Sequence, residues 1–534
     1  MKQTMKQHSF ISRLKSLAVV FGMALAFSSC ANEDVPQNPT KSNEDNDKNL
    51  TTFMAGGETR TSLNYDSGDF YWEKGDYIFV KDDDGVMRMS TNAPKSKVAA
   101  FKYKVPGKFT ANTSYKVYYL GKNSFGSSVR ISTAQSQTVP DNTEHFGVSG
   151  DYGTATATGT LGGGSFSFEL EHHPAYLVFL PYTSNTILKK CYLTKVEVTS
   201  NNDIAETYSI NTTTGALDAS AGTGSKQIVL TTSGSSSNPN GFPLTNSTAS
   251  VTTNGAYMVI KPGTHTLKVR YWVKDVVTNV EGTITRTLSS ETYKPNTYYD
   301  MTANLDVRDY DGDHYYMWDA QEQYWKGFEW TKHLSGNTGQ PTLNGNSSSN
   351  YPQSNSDPRY CNESYPGGRI SNPATHTPCK DLPNANELSW YVMYGDPRWD
   401  ADEVWTTMGH LYKGGMWFKK KSVLQAENHY NTEKSADGTK DMRTTYTEMD
   451  YYTNRSINYD IPSAADADNY FYVPALGYSY FGELSYVGRE GYYWSSSASP
   501  TSSVAAHYLT FNRNLVRMYY DYRKLGLRAE AAFQ

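Results

Sequence analysis

The chain has 534 residues, a formal net charge of −5 and only 19% charged residues, which excludes a strongly basic nucleic-acid-binding protein. That length exceeds one ordinary hydrophobic core and predicts two to four domains. The 43 tyrosines, with abundant Ser, Thr, Asn and Gly, favour pleated strands joined by turns over long amphipathic helices.

Lys2, Lys6, Arg13 and Lys15 precede an apolar run, Leu17 to Phe27, which ends at Ser28-Ser29-Cys30. Eleven apolar residues are too few to span a bilayer, so residues 1–29 read as a signal peptide. Small residues before Cys30 resemble the lipobox of bacterial lipoproteins, with Phe27 where Leu is usual. The resemblance implies cleavage before Cys30 and lipidation of its thiol by acyl chains such as palmitate; an ordinary signal peptide with an incidental Cys is the alternative. Residues 30–49 are polar and predict a flexible tether, because they bury too little surface to offset their ordering entropy. Glu33 and Asp34 resemble the surface-export tag of Bacteroidetes-type lipoproteins. The implied address is the surface-exposed face of the cell outer membrane.

From Leu50 to Asp306, short apolar runs such as Tyr77–Val80, Tyr115–Leu120, Ala175–Leu180, Leu193–Thr199, Ala256–Lys261 and Leu267–Val273 alternate with turn residues. This spacing predicts two consecutive β-sandwich lobes, residues 50–160 and 161–306. Cys191 lies in a strand-like run and reads as a buried free thiol. His172 and His173 have no further ligand at zinc spacing. Residues 307–356 read as a linker, with the Gly/Ser/Asn-rich stretch 335–357 as an exposed loop or linker. Asp309, Asp311 and Asp313 leave open either a calcium loop or a solvated turn, since Gly312 precedes the third acid.

Residues 357–534 read as a separate α+β domain, and eight of the ten tryptophans lie beyond Asp306. Two helix starts are predicted from capping boxes. Asn384 with Glu387 would set Leu388, Tyr391 and Val392 on one face, and Asp400 with Glu403 would do the same for Val404, Met408 and Leu411. Acids gather at helix starts for electrostatic reasons, so the Asp400–Asp402–Glu403 cluster is read as structural and not as a hydrolytic pair. Cys361 and Cys379, eighteen positions apart, form a candidate disulfide if the compartment is oxidising; two small core residues are the alternative. No nucleophile elbow, P-loop or plausible Cys-His pair is present, so no catalytic residue, metal or cofactor is assigned and an enzyme is not expected. Exposed Trp and Tyr rings can bind sugars through their apolar faces. Pattern alone does not separate candidates such as Trp399 and Tyr480 from core.

Two family resemblances follow from longer strings. Arg60–Asn64 (RTSLN), Trp72–Ile78 (WEKGDYI), Leu170–Phe179 (LEHHPAYLVF), Ile260–Val269 (IKPGTHTLKV) and Lys294–Thr302 (KPNTYYDMT) resemble the fimbrillin-like lipoproteins of Bacteroidetes, the Fim/Mfa-type pilins. The resemblance implies two sandwich lobes and removal of the first strand by a protease cutting after Arg or Lys. A neighbouring subunit's strand then fills the vacated groove. Arg60 is the implied processing point, after the strand-like Leu50–Gly56; an ordinary surface Arg is the alternative. Cys379–Leu388 (CKDLPNANEL), Tyr472–Tyr478 (YVPALGY), Gly491–Ser497 (GYYWSSS), Tyr508–Asn512 (YLTFN) and Arg523–Arg528 (RKLGLR) resemble the Fib-succ major paralogous domains, which have a C-type-lectin-like fold. The calcium-and-sugar tripeptides of animal C-type lectins are missing, so only the scaffold is implied. Together the resemblances imply a mainly β protein of the fimbrium, a tip or accessory adhesin subunit that accepts a donor strand in its first lobe and carries a lectin-like head. Its implied partners are other pilus subunits, outer-membrane lipid through Cys30 before processing, and a glycan or protein ligand for the head. A non-polymerising surface lipoprotein that binds glycans or host ligands is the alternative.

Overall fold

The computed structural model describes residues 4–9, 50–56, 62–63, 65, 70–122, 124–125, 127–211, 214–276, 279–329, 339–342, 344–362, 372–448, 451–530 and 532–533. Strands dominate these residues, as the composition predicts, and the helices among them are short.

The amino-terminal region is built on an eight-stranded sheet. Its spatial order is Met87–Met89, Phe79–Lys81, Ser114–Tyr119, Gly153–Gly159, Ser165–Phe168, Leu50–Ala55 and Phe101–Pro106, with Glu171–His172 pairing alongside Gly153–Gly159. Alternation turns Phe53, Tyr103, Val117 and Phe166 into one apolar cluster. Trp72 anchors that cluster, its ring edge-on to Tyr103 at 5.3 Å and to Tyr119 at 5.7 Å. Ser165–Phe168 lies beyond the expected boundary at residue 160 yet pairs within this sheet.

The middle region is organised around Ala175–Tyr182, a strand in which seven successive residues are buried. It runs between Thr297–Asn304, parallel, and Ala256–Ile260, antiparallel. A strand covered on both faces reads as an unbroken apolar run, and AYLVFL does so. A second sheet carries Gln227–Thr231, Tyr192–Ser200, Leu267–Lys274 and Glu281–Thr287. Residues 124–136 also join this region, because Ser128–Arg130 pairs with Thr207–Ile210 and Ala134–Ser136 with Gln227–Thr231.

In the carboxy-terminal region, a six-stranded sheet is ordered Tyr315–Tyr316, Leu527–Arg528, Glu490–Ala498, Ala505–Asn512, Leu515–Tyr522 and Thr453–Asn454. The predicted helix is present as Ala385–Tyr394. Asn384 accepts from the Glu387 amide while the Glu387 carboxylate accepts from the Asn384 amide, and Leu388, Tyr391 and Val392 are fully buried. Each such side chain contributes about 1.5–3 kcal/mol through burial. Part of the expected linker is core: Tyr315, Trp318, Tyr324 and Trp325 are fully buried. Their aromatic content outweighs the polar residues between them.

The second predicted helix does not form. Asp400 and Glu403 lie in the strand Arg398–Thr407, which pairs with His410–Lys419 across a bulge between Asp400 and Val404. Contact between Thr283 and Glu403 extends the middle region's second sheet into this hairpin. Asp400 accepts from the Asp402 and Glu403 amides, and both acids gain further partners that no local window contains. Arg270 donates to Asp400 at 3.0 Å, and Glu403 accepts from the Thr285 amide at 2.8 Å and the Thr283 hydroxyl at 3.0 Å.

Candidate functional sites

The opening strand, Leu50–Ala55, is an interior strand of its sheet. Leu50 to Ala55 pair antiparallel with Pro106 to Phe101, and Thr52 to Ala55 pair parallel with Ser165 to Phe168. Thr51, Phe53 and Ala55 face the core while Met54 is exposed. Phe53 stacks on Phe166 at 5.3 Å and meets Phe109 edge-on at 5.2 Å. Removal of these six residues would open a slot with backbone donors and acceptors along both walls and an apolar socket at its floor. A second strand-binding edge is visible in the middle region, where Thr4–Ser9 pairs antiparallel with Thr297–Asn304 over six residue pairs. Cys30 and Arg60 lie outside the described residues.

The carboxy-terminal segment is fixed differently. Leu527–Arg528 pairs with Tyr315–Tyr316 on one side, and Arg528 meets Tyr493 on the other. Arg528 is buried; its guanidinium donates to Glu530 at 2.8 Å and to the Asp311 carbonyl at 3.0 Å, and lies over the Tyr315 ring. Glu530 also accepts from Arg308, and these cations hold its carboxyl below the usual range against the opposing effect of burial. Phe533 is buried among the rings of Tyr391, Phe418 and Tyr493, at 5.2, 5.8 and 5.7 Å.

On the carboxy-terminal sheet lies a groove of about 360 Å³ lined by Tyr478, Tyr480, Tyr492, Tyr508, Arg517 and Tyr519 among others. Ring centroids follow one another from Tyr478 to Tyr492 at 4.8 Å, to Tyr508 at 6.0 Å and to Tyr519 at 5.7 Å. The tryptophans do not supply this surface. Trp318, Trp325, Trp390, Trp399, Trp405 and Trp494 are all buried. Of the two aromatic candidates named from sequence, Trp399 is buried in a strand and Tyr480 lines the groove. Alternation was the available signal, since Tyr478 and Tyr480 share a face of one strand, but the contributions of Tyr492, Tyr508 and Tyr519 require knowledge of strand order.

The remaining sequence candidates have structural partners. His172 bonds Asp151 at 3.0 Å in the core, where Tyr176 also donates to that carboxylate, and His173 bonds Thr154 at 2.8 Å. Asp309 accepts from Thr406 and Asp311 pairs with His314, whereas the Asp313 side chain lies outside the described residues. Among the described residues, no three His, Cys, Asp or Glu side chains group as a metal site. The expected Cys361–Cys379 disulfide is not formed. The two thiols are buried in different apolar clusters, and the Cys379 sulfur accepts from the Asp319 amide. Burial pushes the Cys379 thiol up to about 12, and Cys191 likewise. No helix among the described residues is long and apolar enough to cross a membrane.

No family model matches the chain, and no curated protein matches it. Solved structures align over about half of it. One is a candidate cell adhesion protein from Bacteroides ovatus, at 15% identity over 48% of this chain and 93% of the other, with a TM-score of 0.29. A fimbrial protein from the same species aligns at 13% identity over 50% and 52%, with a TM-score of 0.22. The fimbrial anchor protein Mfa2 from Porphyromonas gingivalis aligns at 10% identity over 46% and 82%, with a TM-score of 0.21. Scores this low do not establish a common fold.

Proposed function

We propose that this chain is a tip or accessory adhesin subunit of a surface fimbrium, working by binding and not by catalysis. In this reading the amino-terminal and middle regions are two fimbrillin-type lobes, and the carboxy-terminal region is a lectin-like head. One observation carries the assignment: Leu527–Arg528 is locked into its own sheet by buried Arg528 and Phe533, while Leu50–Ala55 is a short, uncharged strand paired with a neighbour on each side. Such a subunit would accept a strand while its described carboxy-terminal strand stays paired internally, which suits the end of a polymer. Export through the signal peptide, lipidation at Cys30 and cleavage after Arg60 would deliver it to the outer membrane and then vacate the slot. Strand addition works because the incoming segment satisfies both rows of backbone groups and refills the Phe53 socket.

The test is amino-terminal sequencing of the mature surface protein, paired with electrophoresis of unboiled pilus material. A start at Thr61 in heat-sensitive high-mass species supports assembly. A blocked Cys30 on a protein that stays monomeric defeats it. That outcome would favour the second reading, a stationary surface lipoprotein, for which the pairing of Leu50–Ala55 on both sides speaks.

A further inference from the structure

The tyrosine groove combines three features that a packed surface does not need. First, its rings present hydroxyls that are not used internally. Those of Tyr478, Tyr480, Tyr508 and Tyr519 make no hydrogen bond within the described residues, although Tyr508 is only 3% exposed. Second, Arg517 lies against the Tyr519 ring, 4.2 Å from its centroid, and its Nε is buried without a hydrogen-bond partner. Asp521 lines the same groove, so a donor and an acceptor charge face one space.

Third, the hairpin at the rim holds two bulky aromatics in the left-handed backbone region. Phe481 has φ +47° and is 61% exposed; Tyr486 has φ +65°, is 42% exposed and stacks on Tyr478 with an interplanar angle of 12°. Left-handed geometry costs a side-chain-bearing residue about 1–2 kcal/mol, and exposing the ring forfeits its burial. What each gains there is contact with a groove ring, Phe481 with Tyr480 at 4.1 Å and Tyr486 with Tyr478 at 5.8 Å. Their placement extends the aromatic surface outward from the groove.

We propose that this groove binds a neutral oligosaccharide. Pyranose rings have apolar C–H faces that lie on aromatic rings and equatorial hydroxyls that both donate and accept. Stacking on Tyr519 and Tyr480 would take the faces, and the free phenols with Arg517 and Asp521 would take the hydroxyls. Each ligand hydroxyl replaces a water on a polar group already exposed to the groove, so its desolvation is compensated. The one cationic and one anionic side chain lining the groove sum to zero charge, which gives acidic sugars no net attraction. A groove of this volume falls within the range of small-ligand sites.

The proposal rests on the carboxy-terminal region being a binding head, and its test is independent of fimbrial assembly. The full chain is run on native gels cast with soluble glucan, mannan, galactan or xylan as neutral probes, and with polygalacturonate or hyaluronate as acidic ones. Retardation by at least one neutral polysaccharide is expected. Tyr480→Ala and Tyr519→Ala should each weaken it about tenfold or more, corresponding to roughly 1.4 kcal/mol. Tyr519→Phe should keep most of the stacking. Arg517→Leu should weaken binding as well. Tyr522→Ala, at an exposed groove position, serves if an inner variant loses its near-UV dichroism. No retardation by any neutral probe, retardation by acidic probes alone, or retardation indifferent to these substitutions overturns the proposal. Binding without fimbrial incorporation would defeat only the pilus reading, and incorporation without binding only this one.

Discussion

Leu50–Ala55 and Leu527–Arg528 are both built into sheets, yet they are held by different physics. Leu50–Ala55 is held by backbone pairing on two sides and one aromatic socket, with no charged side chain in the strand. Leu527–Phe533 is held by a buried guanidinium shared between a carboxylate and a carbonyl, and by a phenyl ring enclosed in other rings. A neutral strand can be replaced by another segment of similar alternation, because nearly everything it satisfies is backbone. A buried ion pair cannot be withdrawn without exposing its partner to a low-dielectric site. The difference implies that Leu50–Ala55 costs less to withdraw than Leu527–Phe533.

The strongest way to break this contrast is Arg528→Ala. Among the described residues it leaves Glu530 with Arg308 as its salt-bridge partner, and about 3–5 kcal/mol should be lost from the carboxy-terminal region in urea denaturation. A loss under 1 kcal/mol would show that Leu527–Phe533 is not held by this ion pair. Phe53→Ala should cost about 3 kcal/mol in the amino-terminal region, and a synthetic peptide spanning residues 50–56 should restore part of it when added in excess. Absence of any rescue would argue that the slot does not exchange strands.

The seam between the middle and carboxy-terminal regions titrates. Burial and the neighbouring Asp400 push the Glu403 carboxyl up to about 7 from its ordinary 4.5. The folded state then holds a proton that the unfolded chain releases, so stability falls as pH rises from about 4.5 to 7 and is level above that. The total is on the order of 3 kcal/mol at most, since each unit is worth about 1.4 kcal/mol. Glu403→Gln mimics the protonated acid and should flatten this fall between pH 5 and 7.5, measured by denaturation at stepped pH. An unchanged slope would place the titration elsewhere.

Smaller effects sharpen the description of the head. Asn384→Ala removes the helix cap and should cost about 1 kcal/mol. Because Cys361 and Cys379 are not bonded to each other, adding reductant to the carefully air-exposed protein should leave its melting temperature unchanged. A drop of several degrees would reinstate a disulfide.

Much of the architecture was legible because it rests on short-range signals. Ala175–Tyr182 announced itself as an unbroken apolar run, and the Asn384–Glu387 box marked a helix that is present. Asp400 and Glu403 carried the same capping signature and yet lie in a strand. Asp400 still accepts from the Asp402 and Glu403 amides, but the two acids also bond Arg270, Thr283 and Thr285, well over a hundred positions away, and such partners outweigh a cap worth about 1 kcal/mol. Likewise Tyr315, Trp318 and Trp325 read as linker because the segment lacks periodicity, but Tyr315 pairs with Arg528 as a strand of the sheet and the Trp318 indole donates to the Ser495 carbonyl.

The residues alone determined that this is a turn-rich β protein of mild negative charge with an aromatic carboxy-terminal half, because alternation and composition are local properties of the chain. Strand order decided the rest. It set Leu50–Ala55 between two neighbours, drew Leu527–Arg528 into its own sheet and gathered tyrosines from four strands around one groove. These outcomes depend on pairing between distant segments, and nothing within a window of ten residues records which segments will meet.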